Sequence, residues 1–164
     1  MRHGIAKSTS WPPFLLSLIG LFFLFTACED DTVIHQQRSI PIEGWEQFDT
    51  VTFVVDSLPD KGNYLLSIDI RTTSEFPYQS LYLKVDQTWN SPLMVRTDTL
   101  CCPIATPDGD IIGSGISHFQ YTFPLVREQL NSGQHGLVSI RHVMQRDILP
   151  GIANVGIKLE KESE

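Results

Sequence analysis

The sequence predicts an all-β chain, an antiparallel β-sandwich behind a cleavable lipoprotein leader. Three observations predict it: apolar and polar residues alternate two by two in run after run, turn signals separate the runs at regular intervals, and helical periodicity is nearly absent. A length of 164 residues suits one domain, and 41% hydrophobic with 19% charged residues suits a globular one. With seven or eight strands, a jelly roll is among the layouts that fit.

The leader comes first. Arg2 and Lys7 precede an apolar run from Phe14 to Phe25 that contains no acid. Twelve helical residues cover about 18 Å, well short of a hydrocarbon core of about 30 Å. A positive start, a short apolar stretch and small residues at its end describe an export signal instead. Thr26-Ala27-Cys28 resembles a bacterial lipobox, so cleavage is expected between Ala27 and Cys28, with diacylglycerol on the Cys28 thiol. Several acyl chains on one residue, at ~0.8 kcal/mol per buried methylene, anchor a protein stably. Losing residues 1–27 removes Arg2 and Lys7 and takes the net charge from −7 to −9, leaving no basic patch to grip anionic lipid. The lipid does the anchoring. The expected organisation is leader 1–27, lipidated Cys28 with a polar tether to residue 44, and a β-sandwich over 45–164.

Along the tether, an edge strand is expected near Ile40–Ile42. "TVTFVVD" then alternates Val51, Phe53 and Val55 against Thr52 and Val54, and "YLLSIDIRT" sets Leu66, Ile68 and Ile70 against Ser67, Asp69 and Arg71. "SLYLKVD" repeats the pattern with Leu81, Leu83 and Val85, and "VGIKLEK" with Val155, Ile157 and Leu159. One apolar and one polar face marks half-buried antiparallel strands. Further strands fit 93–104, 116–123 and 135–143. Short helical turns are expected at "PLVREQL" (124–130) and "MQRDIL" (144–149), the second ending before Pro150.

The chemistry-bearing residues form no constellation in the sequence. Net charge −7 argues against nucleic acid, which demands a basic patch. Beyond Cys28 the cysteines are Cys101 and Cys102; adjacent in a strand, they point to opposite faces, so one buried and one exposed thiol is expected. His35, His118, His135 and His142 match no metal-ligand spacing, so no metal and no cofactor is expected beyond the covalent lipid. No nucleophile elbow or acid/base pair supports a hydrolase. Asp-Ser/Thr-apolar triplets occur at Thr32, Thr50, Ser57 and Thr99 and are similar to the O-glycosylation motif of exported Bacteroidota proteins. Phe76-Pro77-Tyr78 sits between two strands as a loop with apolar content, a candidate partner contact. The sequence also carries an alternative: Tyr78 and Trp89 as part of an aromatic sugar-binding platform on the sandwich.

Three stretches, "FPYQSLYLKVDQT", "RTDTLCCPIATPDGDIIGSGISHF" and "RHVMQRDILPGIANVGIKLEK", resemble the gliding-motility lipoprotein GldH family of Bacteroidota. The shared features fall at Phe76–Tyr78, Leu81–Leu83, Asp98–Leu100, Gly113–Gly115 and Gly151–Glu160. The resemblance implies a non-enzymatic envelope lipoprotein that serves assembly of the gliding and type IX secretion machinery, with other envelope proteins as partners. It implies a lipid-anchored place in the outer membrane and leaves open whether the domain faces the periplasm or the surface.

Overall fold

The computed structural model describes residues 32–162; the leader with Ala27 and Cys28 lies outside the described residues. Ten strands follow one another: β1 (Thr32–Ser39), β2 (Trp45–Glu46), β3 (Val51–Val55), β4 (Gly62–Thr73), β5 (Ser80–Asn90), β6 (Met94–Pro103), β7 (His118–Leu130), β8 (His135–His142), β9 (Ile148–Leu149) and β10 (Ile152–Lys161). One four-stranded sheet runs β1-β10-β4-β7 and the other β3-β8-β5-β6, while β2 and β9 pair alone. Every pairing is antiparallel. Leaving out the two short strands and numbering the rest one to eight, the sheets read 1-8-3-6 and 2-7-4-5. That is jelly-roll connectivity, two Greek keys wound into facing sheets.

The alternation read from the sequence supplies the core. Leu66, Ile68 and Ile70 of β4 and Val155, Ile157 and Leu159 of β10 face Phe53 of β3, Leu81, Leu83 and Val85 of β5 and Val138 and Ile140 of β8. Trp45 and Trp89 are buried among them. At about 25 cal/mol per Å² of apolar surface removed from water, this interior drives folding.

The open side between edge strands β6 and β7 is closed by charge instead of grease. Arg96 and Asp98 share the inward face of β6 with Met94, Leu100 and Cys102, as their register opposite Gln87 and Val85 requires. Arg96 donates to both carboxylate oxygens of Asp98 (2.6 and 3.0 Å) and reaches Glu128 of β7 at 3.4 Å. Inward-pointing charges of this kind blunt an edge against further strand addition. Burial pushes the Glu128 carboxyl up against the pull of Arg96, and its Oε2 has no hydrogen-bond partner.

Three expectations are corrected. Residues 124–130 are not helical: they continue β7, whose pairing with β4 runs to Gly62↔Leu130, and Pro124 sits at the Leu66/Ser67 irregularity, where an edge strand tolerates a missing donor. Residues 144–149 hold no helix either and end in β9. The edge strand lies at Thr32–Ser39 and not at Ile40–Ile42; Ile40 is buried just after it and Ile42 is 93% exposed. Since β1 pairs along β10 from Thr32↔Glu160 to Ser39↔Asn154, the described fold includes Thr32–Ser39, inside the stretch expected as a tether.

Candidate interaction surface

Antiparallel strands send successive connections to alternate ends of the sandwich. Residues 40–50, 74–79, 104–117 and 143–151 therefore share one pole; 56–61, 91–93 and 131–134 share the other, along with Thr32 and Lys161. Three connections of the first set, 40–50, 104–117 and 143–151, are longer than any of the second. Most exposed large apolar residues stand at the first pole, Ile42, Phe48, Tyr78, Ile111, Ile112, Ile116, Val143 and Ile148, against Leu93 alone at the second and Val54, Tyr82, Val95 and Leu137 along the strands.

The four loops are tied to one another. Thr73 N–H donates to Gly151 O at 2.8 Å, and Gly151 (φ 76°) packs so close to Phe76 that a Cβ would lie 2.2 Å from its amide nitrogen. Gln79 joins the third loop twice: its carbonyl accepts from Ile104 N–H at 2.8 Å, and its side chain donates to Pro107 O at 3.0 Å. Gln47 joins the first loop to the fourth through Asp147 O (2.7 Å) and Met144 O (3.0 Å). Beneath them, Trp45 Nε1 donates to Asp49 O, and the buried His142 donates from Nε2 to Trp45 O at 3.0 Å with the two rings edge to face. Gly113 lies on the ring of Tyr121, whose hydroxyl donates to Ile104 O.

Of the expected partner contact, Phe76 is half-buried against the core, while Pro77 and Tyr78 are exposed; the Phe76 and Tyr78 rings meet edge to face at 5.8 Å. Tyr78 separates two hollows. One, about 320 Å³, is lined by Tyr78, Tyr82, Val143, Met144 and Gln145. The other, about 240 Å³, lies between the Phe76–Gln79 loop and Ile104, Ala105, Gly109 and Ile111. Neither holds a nucleophile beside a base, so what they offer is apolar burial. Sequence reasoning found Tyr78 but missed the three loops around it. The signal was available: strand parity alone assigns each connection to a pole.

The remaining site residues are scattered. Trp89 is core, which removes it from any sugar-stacking platform. Cys101 is exposed and Cys102 buried, its thiol pushed up to about 12 mainly by burial. Thr32 opens β1, Thr50 and Ser57 flank β3, and Thr99 faces solvent on β6; Thr50, Ser57 and Thr99 are exposed. Asp69, buried on the outer face of β4, accepts from Thr122 Oγ1 (2.6 Å) and contacts His35 Nε2 (2.8 Å). Among the described residues no three His, Cys, Asp or Glu side chains converge as metal ligands.

The GldH lipoprotein family profile matches residues 32–159, nearly all of the described fold. The chain belongs to the GldH lipoprotein family. Two relatives align with it over 152 residues. The gliding motility lipoprotein GldH of Flavobacterium johnsoniae is 24% identical, covering 88% of this chain and 94% of its own. The gliding motility lipoprotein GldH homolog of Christiangramia forsetii is 26% identical, covering 87% and 92%. Among solved structures, Eiger TNF from S. frugiperda aligns with 80% of this chain and 93% of its own at 11% identity and a TM-score of 0.34. Both GldH relatives are named as lipoproteins of gliding motility and neither as an enzyme.

Proposed function

We propose that this chain is a non-enzymatic lipoprotein of the cell envelope, held by acyl chains on Cys28 and acting as an interaction or assembly component of the gliding-motility and type IX secretion machinery. The observation that carries the reading is a family match spanning β1 to β10 directly behind the Thr26-Ala27-Cys28 lipobox. The relatives' names supply the process, and the tied apolar loops supply a surface for binding without chemistry. An outer-membrane location accompanies the reading. Thr32, Thr50, Ser57 and Thr99 are its candidate O-glycan acceptors, and the mass of the mature protein decides their occupancy. Deleting the gene is expected to reduce colony spreading and secreted protein, restored by the wild-type chain and not by Cys28→Ala. Normal spreading and secretion in the deletion strain would overturn the reading.

A further inference from the structure

We propose that the pole formed by 40–50, 74–79, 104–117 and 143–151 faces away from the membrane and docks a partner protein presenting apolar side chains ringed by Lys and Arg. This inference rests on the lipid at Cys28 and on the interaction role proposed above.

Orientation follows from chain length. Thr32 lies at the opposite pole, beside the end of β10. Three residues separate it from Cys28, and the four Cα-to-Cα steps between them reach at most about 14 Å. A lipid on Cys28 thereby keeps Thr32 within that distance of its acyl chains. The eight residues of β1 rise about 26 Å toward the loops. The apolar side chains thus stand on the far side of the sandwich from the acyl chains, where a bilayer does not cover them.

Charge selects the occupant. The four loops carry Glu43, Glu46, Asp49, Glu75, Asp108, Asp110 and Asp147 against a single base, Arg146. All seven carboxylates are exposed, and none enters an ion pair among the described residues. An unneutralised acidic ring around apolar side chains repels an identical ring, so a second copy is a poor occupant. It repels anionic lipid for the same reason. A basic rim on another protein complements it, speeds encounter and rejects acidic competitors. The two hollows beside Tyr78 take apolar anchors, and the hydrogen bonds between loops hold the surface preformed, which lowers the entropic cost of binding.

The test places a benzophenone side chain at Tyr78 or Ile116, and as controls at Leu93 or Ser132 on the anchor-side pole, in the full chain expressed in its native cells. Crosslinked peptides are identified by mass spectrometry. The expected result is adducts from Tyr78 and Ile116 to a different protein, through a segment containing Lys or Arg. In a chain also carrying Glu75→Lys and Asp108→Lys, with unchanged melting temperature and membrane abundance, adduct yield is expected to fall about tenfold, since rim charges act chiefly on association. Adducts only from the control positions, none from any position, adducts to lipid or to a second copy, or a yield unmoved by charge reversal would each overturn the inference. The deletion phenotype is scored separately, so failure of the docking surface is distinguishable from failure of the proposed role.

Discussion

At the residue scale, burial decides what each side chain is for. Trp89 and Tyr78 read alike in the sequence, two aromatics near turn signals, yet one is core and the other rim; the alternation of Leu81, Leu83 and Val85 continues inward to Trp89, with the polar Gln87 standing between and masking it. Cys101 and Cys102 were legible because adjacent strand residues must face opposite ways. His142 was not. Its Nε2–H is committed to Trp45 O, and its Nδ1 is buried without a partner, so burial holds its pKa below the ordinary histidine value. The sign follows. Above about pH 6.5 the imidazole is neutral in folded and unfolded chains and contributes no pH dependence. Below that, the unfolded chain takes up a proton that the folded chain resists, so stability is lost as pH falls toward the folded pKa. Melting temperature is expected to drop between pH 7.5 and 5.5, and to drop less in His142→Gln, where the Nε2 donor is replaced by an uncharged amide. Equal slopes in both chains would show that His142 does not titrate this way.

At the scale of elements, the strands with strict alternation were legible and the exceptions share a cause. "PLVREQL" carries helix-forming residues, but propensity is worth tenths of a kcal/mol per residue and yields to ladder pairing with β4. β1 hides for the reverse reason. "TVIHQQRS" is polar because an edge strand needs few apolar contacts; its Gln36 side chain instead donates across the sandwich to Val54 O. A chain starting at Pro41 would leave β10 without its neighbour and expose its flank. We expect it to lose several kcal/mol against one starting at Thr32, since seven paired residues and the half-buried Val33 and Ile34 go with β1. Urea denaturation of the two chains measures the difference; equal midpoints would return residues 32–39 to the tether.

At the scale of the molecule, the sandwich was legible from periodicity, and its poles were legible too, since strand parity needs only the number and order of the strands. What the sequence did not show was where the connections begin, because the edge strand was expected at Ile40–Ile42 and lies at Thr32–Ser39, and β7 runs on to Leu130. Both sheets contribute to one interior, joined at one side by Arg96, Asp98 and Glu128, so unfolding is expected to be all-or-none. Trp45 and Trp89 report from the β2–β9 pair and from β5 respectively. Their fluorescence and the far-ultraviolet circular dichroism of the mature domain are expected to change with one midpoint in denaturant. Two separated midpoints would show that the loop pole melts independently.

The pairing of β1 with β10 joins the first described strand to the last. A polypeptide emerging end-first, whether from a ribosome or through a translocation channel, delivers Thr32 long before Lys161. Until the final strand arrives, β1 and β4 both lack their shared neighbour, and the β1-β10-β4 part of the sheet cannot close. Pairings so distant in sequence also close slowly. The topology thus postpones closure of that sheet to the arrival of Ile152–Lys161, and an escorting chaperone has that same interval in which to act.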